Sequence, residues 1–209
     1  MVAIGIISIK GGVGKTTATA NLGAAFSSLG KKVVLIDANF SAPNLGLHFG
    51  LVKPQATILD ALSKRVPVEK AIYEHDEGFH FIPGELVPQF DEKINMNGLK
   101  SLVKELERSY DVVLMDSSPS LGKEMLATML ASDELLVITS PDYPTLSCTL
   151  RAVKIAKEKK TPITGLILNK TRGKEYEISI KDIEEMAGVP VLAVLPDDYR
   201  VQEAIFPFS

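Results

Sequence analysis

The sequence predicts an α/β fold, a doubly wound and mainly parallel sheet with helices on both faces. Three observations carry this. Short apolar clusters alternate with helical patterns along the whole chain, as repeated βαβ units require. The cluster Val33-Val34-Leu35-Ile36 is apolar at every position, so its strand must be covered on both faces. A glycine-rich stretch, Lys10-Gly11-Gly12-Val13-Gly14-Lys15-Thr16-Thr17, stands between the apolar run 3–9 and a helical pattern, at the strand-to-helix turn of the first unit. A chain of 209 residues suffices for one such domain with a full core, and a single domain over 1–209 is expected.

In chain order, the first helix is expected over about 15–29, with Ala20, Ala24 and Ala25 small enough to pack closely on the sheet and Gly30 as its C-cap. The strand 33–36 ends at Asp37, and 44–50 reads as a short amphipathic turn. Thr57 is a good N-cap for a helix that starts with Ile58. A short helix over 68–73 and a short strand over 79–82, closed by Pro83-Gly84, follow. Residues 85–97 have no clean period and read as a mobile loop. Leu99, Leu102, Val103 and Leu106 form one stripe of a helix over 98–109. Strands over 111–116, 134–139, 163–170 and 190–196 alternate with helices ending at Lys159 and spanning 179–187, and a helical start lies at 200–206.

Gly14-Lys15-Thr16 supplies the G-K-[ST] end of a phosphate-binding loop, G-x-x-x-x-G-K-[ST], in its required strand–loop–helix context, with Ile9 at the position of the pattern's first glycine. Gly11, Gly12 and Gly14 let the backbone turn tightly and bring N–H groups against phosphate oxygens, with Val13 and Thr17 completing the cradle. These donors sit at a helix N-terminus, which favours an anion. Lys15 is placed to reach the β/γ-phosphates and Thr16 to put its hydroxyl on Mg²⁺. The apolar strand ending in Asp116 completes the pattern, with Asp116 holding the metal at the same sheet edge. The sequence therefore predicts a nucleoside triphosphate-binding protein.

With Lys10 ahead of its glycines, the loop resembles that of the MinD/ParA family of dimerising ATPases, deviant phosphate-loop enzymes of the SIMIBI type. The resemblance covers the chain from Lys10 to Asp197. It implies an ATP-dependent homodimer in which Lys10 reaches the partner subunit's nucleotide, ATP/ADP and Mg²⁺ as cofactors, and a protein activator or cargo. Residues 37–47 resemble the family's first switch, closer to the MinD type than to the ParA type. There an aspartate at the position of Asp37 acts near Mg²⁺, and one at the position of Asn39 orients the attacking water. An amide accepts a hydrogen bond but takes no proton and carries no charge. Binding is therefore expected to survive at Asn39 while hydrolysis is slow, although phosphoryl transfer rests mostly on positioning. Residues 117–122 resemble the second switch. Asn169 matches an asparagine that contacts adenine, and Pro196 and Asp197 match a turn against the base.

Composition limits the alternatives. The net charge of −3 argues against a dominant nucleic-acid surface, leaving a DNA-binding partition ATPase as the less favoured reading. The basic face Arg151, Lys154, Lys157, Lys159 and Lys160 reads as solvated, and His48 as a packing or surface residue. The single cysteine, Cys148, reads as a buried small hydrophobe; it excludes an internal disulfide and a Cys-x-x-C metal site within one chain and so disfavours an iron–sulfur role. Absent a long apolar run or leader, a cytoplasmic protein is expected, meeting membranes through a partner or a tail absent from 1–209. A non-hydrolysing, ATP-gated scaffold is the third reading, suggested by Asn39.

Overall fold

The computed structural model describes residues 1–86 and 98–204. The stretch 87–97, within the expected loop, and 205–209, at the end of the expected last helix, lie outside the described residues. In chain order the elements are β1 (Val2–Ile7), α1 (Lys15–Ser28), β2 (Val33–Ala38), α2 (Leu45–His48), α3 (Ile58–Leu62), a 3₁₀ turn (Val68–Ala71), β3 (Tyr73–Glu74) and β4 (His80–Ile82). There follow α4 (Gly98–Leu106), β5 (Val112–Ser117), α5 (Lys123–Ala131), β6 (Glu134–Thr139), α6 (Tyr143–Lys159), β7 (Ile163–Thr171), α7 (Ile180–Ala187), β8 (Val191–Pro196) and α8 (Tyr199–Glu203).

The strands form one eight-stranded sheet in the order β3-β4-β2-β5-β1-β6-β7-β8. Every pairing is parallel except β3 with β4. The expected doubly wound sheet is present, and two details differ from expectation. The segment 68–73 divides into a 3₁₀ turn and the two-residue strand β3, because Tyr73 pairs with Phe81 at the sheet edge. Helix α5, which no local pattern singled out, packs on the sheet through Met125, Ala127 and Met129.

Alternate strand residues feed opposite layers. Ala3 and Ile7 of β1 face the side covered by α3 to α7, whereas Ile4 and Ile6 face the side covered by α1 and α2. Gly23 lets α1 lie against β2, since a Cβ there would stand 2.7 Å from Leu35 Cδ1. β1 lies between β5 and β6; from β1 the chain runs to β2 on one side, and from β5 it crosses to β6 on the other. This is the switch point at whose carboxyl edge doubly wound sheets bind ligands. The register there puts Asp116 beside both Ile6 and Asp37.

Candidate functional site

The turn from β1 into α1 has the dihedrals that its glycines anticipate. Gly12 has φ 75° and Gly14 φ 100°, left-handed values that strain any residue with a side chain. Gly14 is also the N-cap of α1, with no side chain capping the helix and no acid in its first turn. The first N–H groups of α1 thus lack a side-chain cap and face a cavity of about 610 Å³. Gly11, Gly12, Gly14, Lys15, Thr16 and Thr17 line one end of it. Asn169, Pro196 and Asp197 line it as well, together with Leu195 and Val201. Val13 is buried beneath the loop, and its carbonyl accepts Asn169 Nδ2 at 2.7 Å.

At the floor, Lys15 is 7% exposed. Burial holds its ammonium below the ordinary lysine value, against the pull of the Asp116 charge. Thr16 Oγ1 donates to Asp116 Oδ2 at 2.5 Å, and Asp116 Oδ1 is buried without a hydrogen-bond partner among the described residues. An orphaned carboxylate oxygen behind a hydroxyl that lines the anion cradle belongs to the donor set that Mg²⁺ takes with a nucleotide. Asp37 is used differently. Its Oδ1 accepts the Asn39 N–H at 3.1 Å, and its Oδ2 accepts those of Asn44 and Leu45 at 2.9 Å each. It therefore folds the 37–47 loop, leaving Oδ1 alone with spare acceptor capacity for a metal or its water.

Burial raises the Asp37 carboxyl to about 7, helped by the Asp116 charge and opposed by the three N–H groups. Burial likewise raises Asp116 to about 6, against the Thr16 hydrogen bond and Lys15. The folded values exceed the unfolded ones, so the stability these groups contribute is complete below roughly pH 4. It is lost as pH rises through about 6 and 7. A metal takes the ionised form, so proton and metal compete. Affinity for Mg·ADP is expected to be flat above about pH 7 and to fall by up to about tenfold per unit below pH 6. Calorimetric titrations between pH 5 and 8 test this, and equal affinity throughout would refute it.

Asn39 lines the cavity, donates its Nδ2 to the Ala42 carbonyl, and keeps Oδ1 buried without a partner among the described residues. Lys10 is directed elsewhere: its Nζ donates to Thr145 Oγ1 at 2.7 Å and lies 3.3 Å from Asp142 Oδ1, outside the cavity lining. Asp142 caps α6. Burial pushes its carboxyl up, but hydrogen bonds from Ser140, from the Thr145 hydroxyl and N–H, and from Lys10 outweigh this and bring it down to about 2.

Several participants were not legible in the sequence. Lys170, the last residue of the expected strand over 163–170, lies inside β7 and donates to the Gly12 carbonyl at 2.8 Å, a role no motif marks. Arg172, just beyond it, is fixed on Asp197 at 2.8 Å. Leu195, Asp198 and Val201 add walls to the cavity that no motif marks. Cys148 is half-buried rather than buried. His48 packs edge-on to Phe49, and burial lowers its pKa. Among the described residues no group of His, Cys, Asp and Glu side chains forms a metal cluster, and no helix is long and apolar enough to cross a membrane.

A doubly wound sheet with a glycine-rich anion cradle at its switch point, a buried lysine on the cradle's floor and a threonine–aspartate pair beside it defines a P-loop nucleotide-binding protein. The comparisons narrow the class. The model described as the CobQ/CobB/MinD/ParA nucleotide binding domain matches residues 4–206, and the chain belongs to this family of P-loop ATPases. An uncharacterised ATP-binding protein of Methanocaldococcus jannaschii is 34% identical over 203 residues, covering 97% of this chain and 77% of that protein. The septum site-determining protein MinD of Pyrococcus horikoshii, solved with Mg-ADP, superposes with a TM-score of 0.91 at 32% identity, over 98% of this chain and 84% of that one. The MinC:MinD cell division complex of Aquifex aeolicus contains a chain with TM-score 0.88 and 28% identity, over 98% and 85% of the two chains.

Proposed function

We propose that this chain is a MinD-like nucleotide switch: an ATPase that dimerises on ATP, recruits a protein partner as a dimer and releases it after slow hydrolysis. In this reading the backbone of residues 11–17 and Lys15 hold the phosphates, Thr16 and Asp116 hold Mg²⁺, and Asp37 acts on the metal through its free lone pair or a water. Asn169, Pro196 and Asp197 face the base. With one Nδ2 hydrogen donated to Val13, Asn169 keeps its oxygen as an acceptor, suited to an exocyclic amine such as that of adenine, and its second amide hydrogen as a donor. The homologous MinD solved with Mg-ADP supports the ligands, and the MinC:MinD complex supports a protein partner.

The observation that carries the dimer is the position of Lys10. A lysine inside the phosphate loop whose ammonium misses its own cavity and rests on Thr145 and Asp142, with a side chain 41% exposed, supports a role toward a second subunit. Lys10→Ala is expected to keep nucleotide affinity within about threefold and to abolish the ATP-dependent doubling of mass seen by light scattering, an effect on the scale of losing a charge-assisted contact. An ATP dimer that persists in the variant overturns the cross-subunit role. Phosphate release measured in the same series separates a slow ATPase from a non-hydrolysing scaffold. The basic face of α6 is solvent-exposed at Arg151, Lys154 and Lys157, as a solvated helix face requires.

A further inference from the structure

We infer that Lys170 is a positioning residue for the nucleotide, one half of a two-residue clamp that holds the phosphate loop in its binding shape; this rests on the reading of residues 11–17 as the phosphate site. Three residues other than glycine have positive φ among those described, Lys64, Lys160 and Lys170. Lys160 caps the end of α6, and Lys64 follows the end of α3, places where left-handed residues commonly close a helix. Lys170 alone stands inside a strand, with φ 60° in β7. A side chain there costs energy, and such strain persists where the surroundings impose it, characteristically at sites.

The geometry shows what the strain achieves. Consecutive strand residues ordinarily point to opposite faces, so Asn169 and Lys170 cannot both reach one loop from a regular strand. The pairing of β7 with β8 shifts register between Leu168 and Thr171, around the left-handed residue. Both side chains then meet the loop: Asn169 Nδ2 on the Val13 carbonyl at 2.7 Å, and Lys170 Nζ on the Gly12 carbonyl at 2.8 Å. Two successive carbonyls are thus held from outside. Thr171 rejoins the sheet opposite Pro196, and its carbonyl accepts the Asp197 N–H at 3.0 Å. One irregular strand end therefore braces the phosphate loop and the base-side turn together.

The test is calorimetric titration of Mg·ADP and Mg·GDP into the wild-type chain and the variants Lys170→Met, Lys170→Gly and Lys170→Arg, with melting curves of each free protein. Lys170→Met and Lys170→Gly are expected to weaken ADP about three- to tenfold, the range for one typical lost hydrogen bond, since this one is solvent-exposed. Lys170→Arg is expected to restore affinity to within about twofold, since it keeps a cationic donor. Lys170→Gly relieves the backbone strain, so its free protein should melt no lower than wild type while binding more weakly. A purely structural residue would move both together. The ratio of ADP to GDP affinity should stay constant, because the clamp acts on the phosphate end. Unchanged ADP affinity in Lys170→Met, or a loss confined to ADP, overturns the clamp. Failure of the wild-type chain to bind ADP overturns instead the phosphate-site reading beneath it.

Discussion

Lys15→Ala is expected to weaken ADP and ATP binding by at least about a hundredfold, roughly 2.7 kcal/mol. The Lys15 ammonium is buried on the floor of the cradle, and burial already presses it toward the neutral form. Phosphate oxygens would relieve that pressure directly, because a charge-assisted hydrogen bond gains strength where water is excluded. Alanine removes this gain and leaves Asp116, whose value Lys15 now holds down, with no neighbouring cation. The free protein should stay folded, since removing the ammonium also removes its desolvation cost. Titration of the folded variant decides the matter: an affinity near that of wild type would show that the anion site lies elsewhere.

Asn39→Asp is expected to raise phosphate release by at least about tenfold, a floor below the roughly hundredfold or more that a positioned general base supplies. Oδ1 of Asn39 is buried at the cavity without a partner among the described residues, so one acceptor is already available to orient a water. A carboxylate adds charge and basicity at that point. The same change has a cost. It deletes the donor that Asn39 gives to the Ala42 carbonyl and sets a third carboxyl near Asp37 and Asp116, both already raised by burial. The nucleotide-free variant is therefore expected to be less stable by about 1–3 kcal/mol, the penalty for an unsatisfied buried group. A wild-type rate of phosphate release in the variant would mean that the water is positioned without help from residue 39.

The parts of this molecule readable from the sequence are those governed by neighbours in the chain. The phosphate loop needs only a strand, glycines and a helix start in succession, and Gly12 and Gly14 take the dihedrals their lack of a side chain suggests. Asp37 and Asp116 end apolar strands, and parallel register brings them side by side. What escaped depends on distant contacts. Asn169 and Val13 are separated by 156 positions, and strand alternation argued against Lys170 reaching the same loop. Helix α5 shows little amphipathic contrast, because packing rather than pattern decides its place. Lys10 was recognised by its position in the loop, but its docking on Asp142 and Thr145 could only be seen once α6 was in place.

Gly14 and Asn169 touch so closely that a Cβ at 14 would stand 2.3 Å from Asn169 Nδ2. The two positions are therefore not free to drift independently. A side chain at 14 demands a smaller residue at 169, which would surrender both the bond to Val13 and the acceptor offered to the base. A larger residue at 169 would press on a point of the turn that has no side chain to move. Through this contact the requirements of the phosphate end and the base end become a single constraint on inheritance, and substitutions at the pair should combine non-additively.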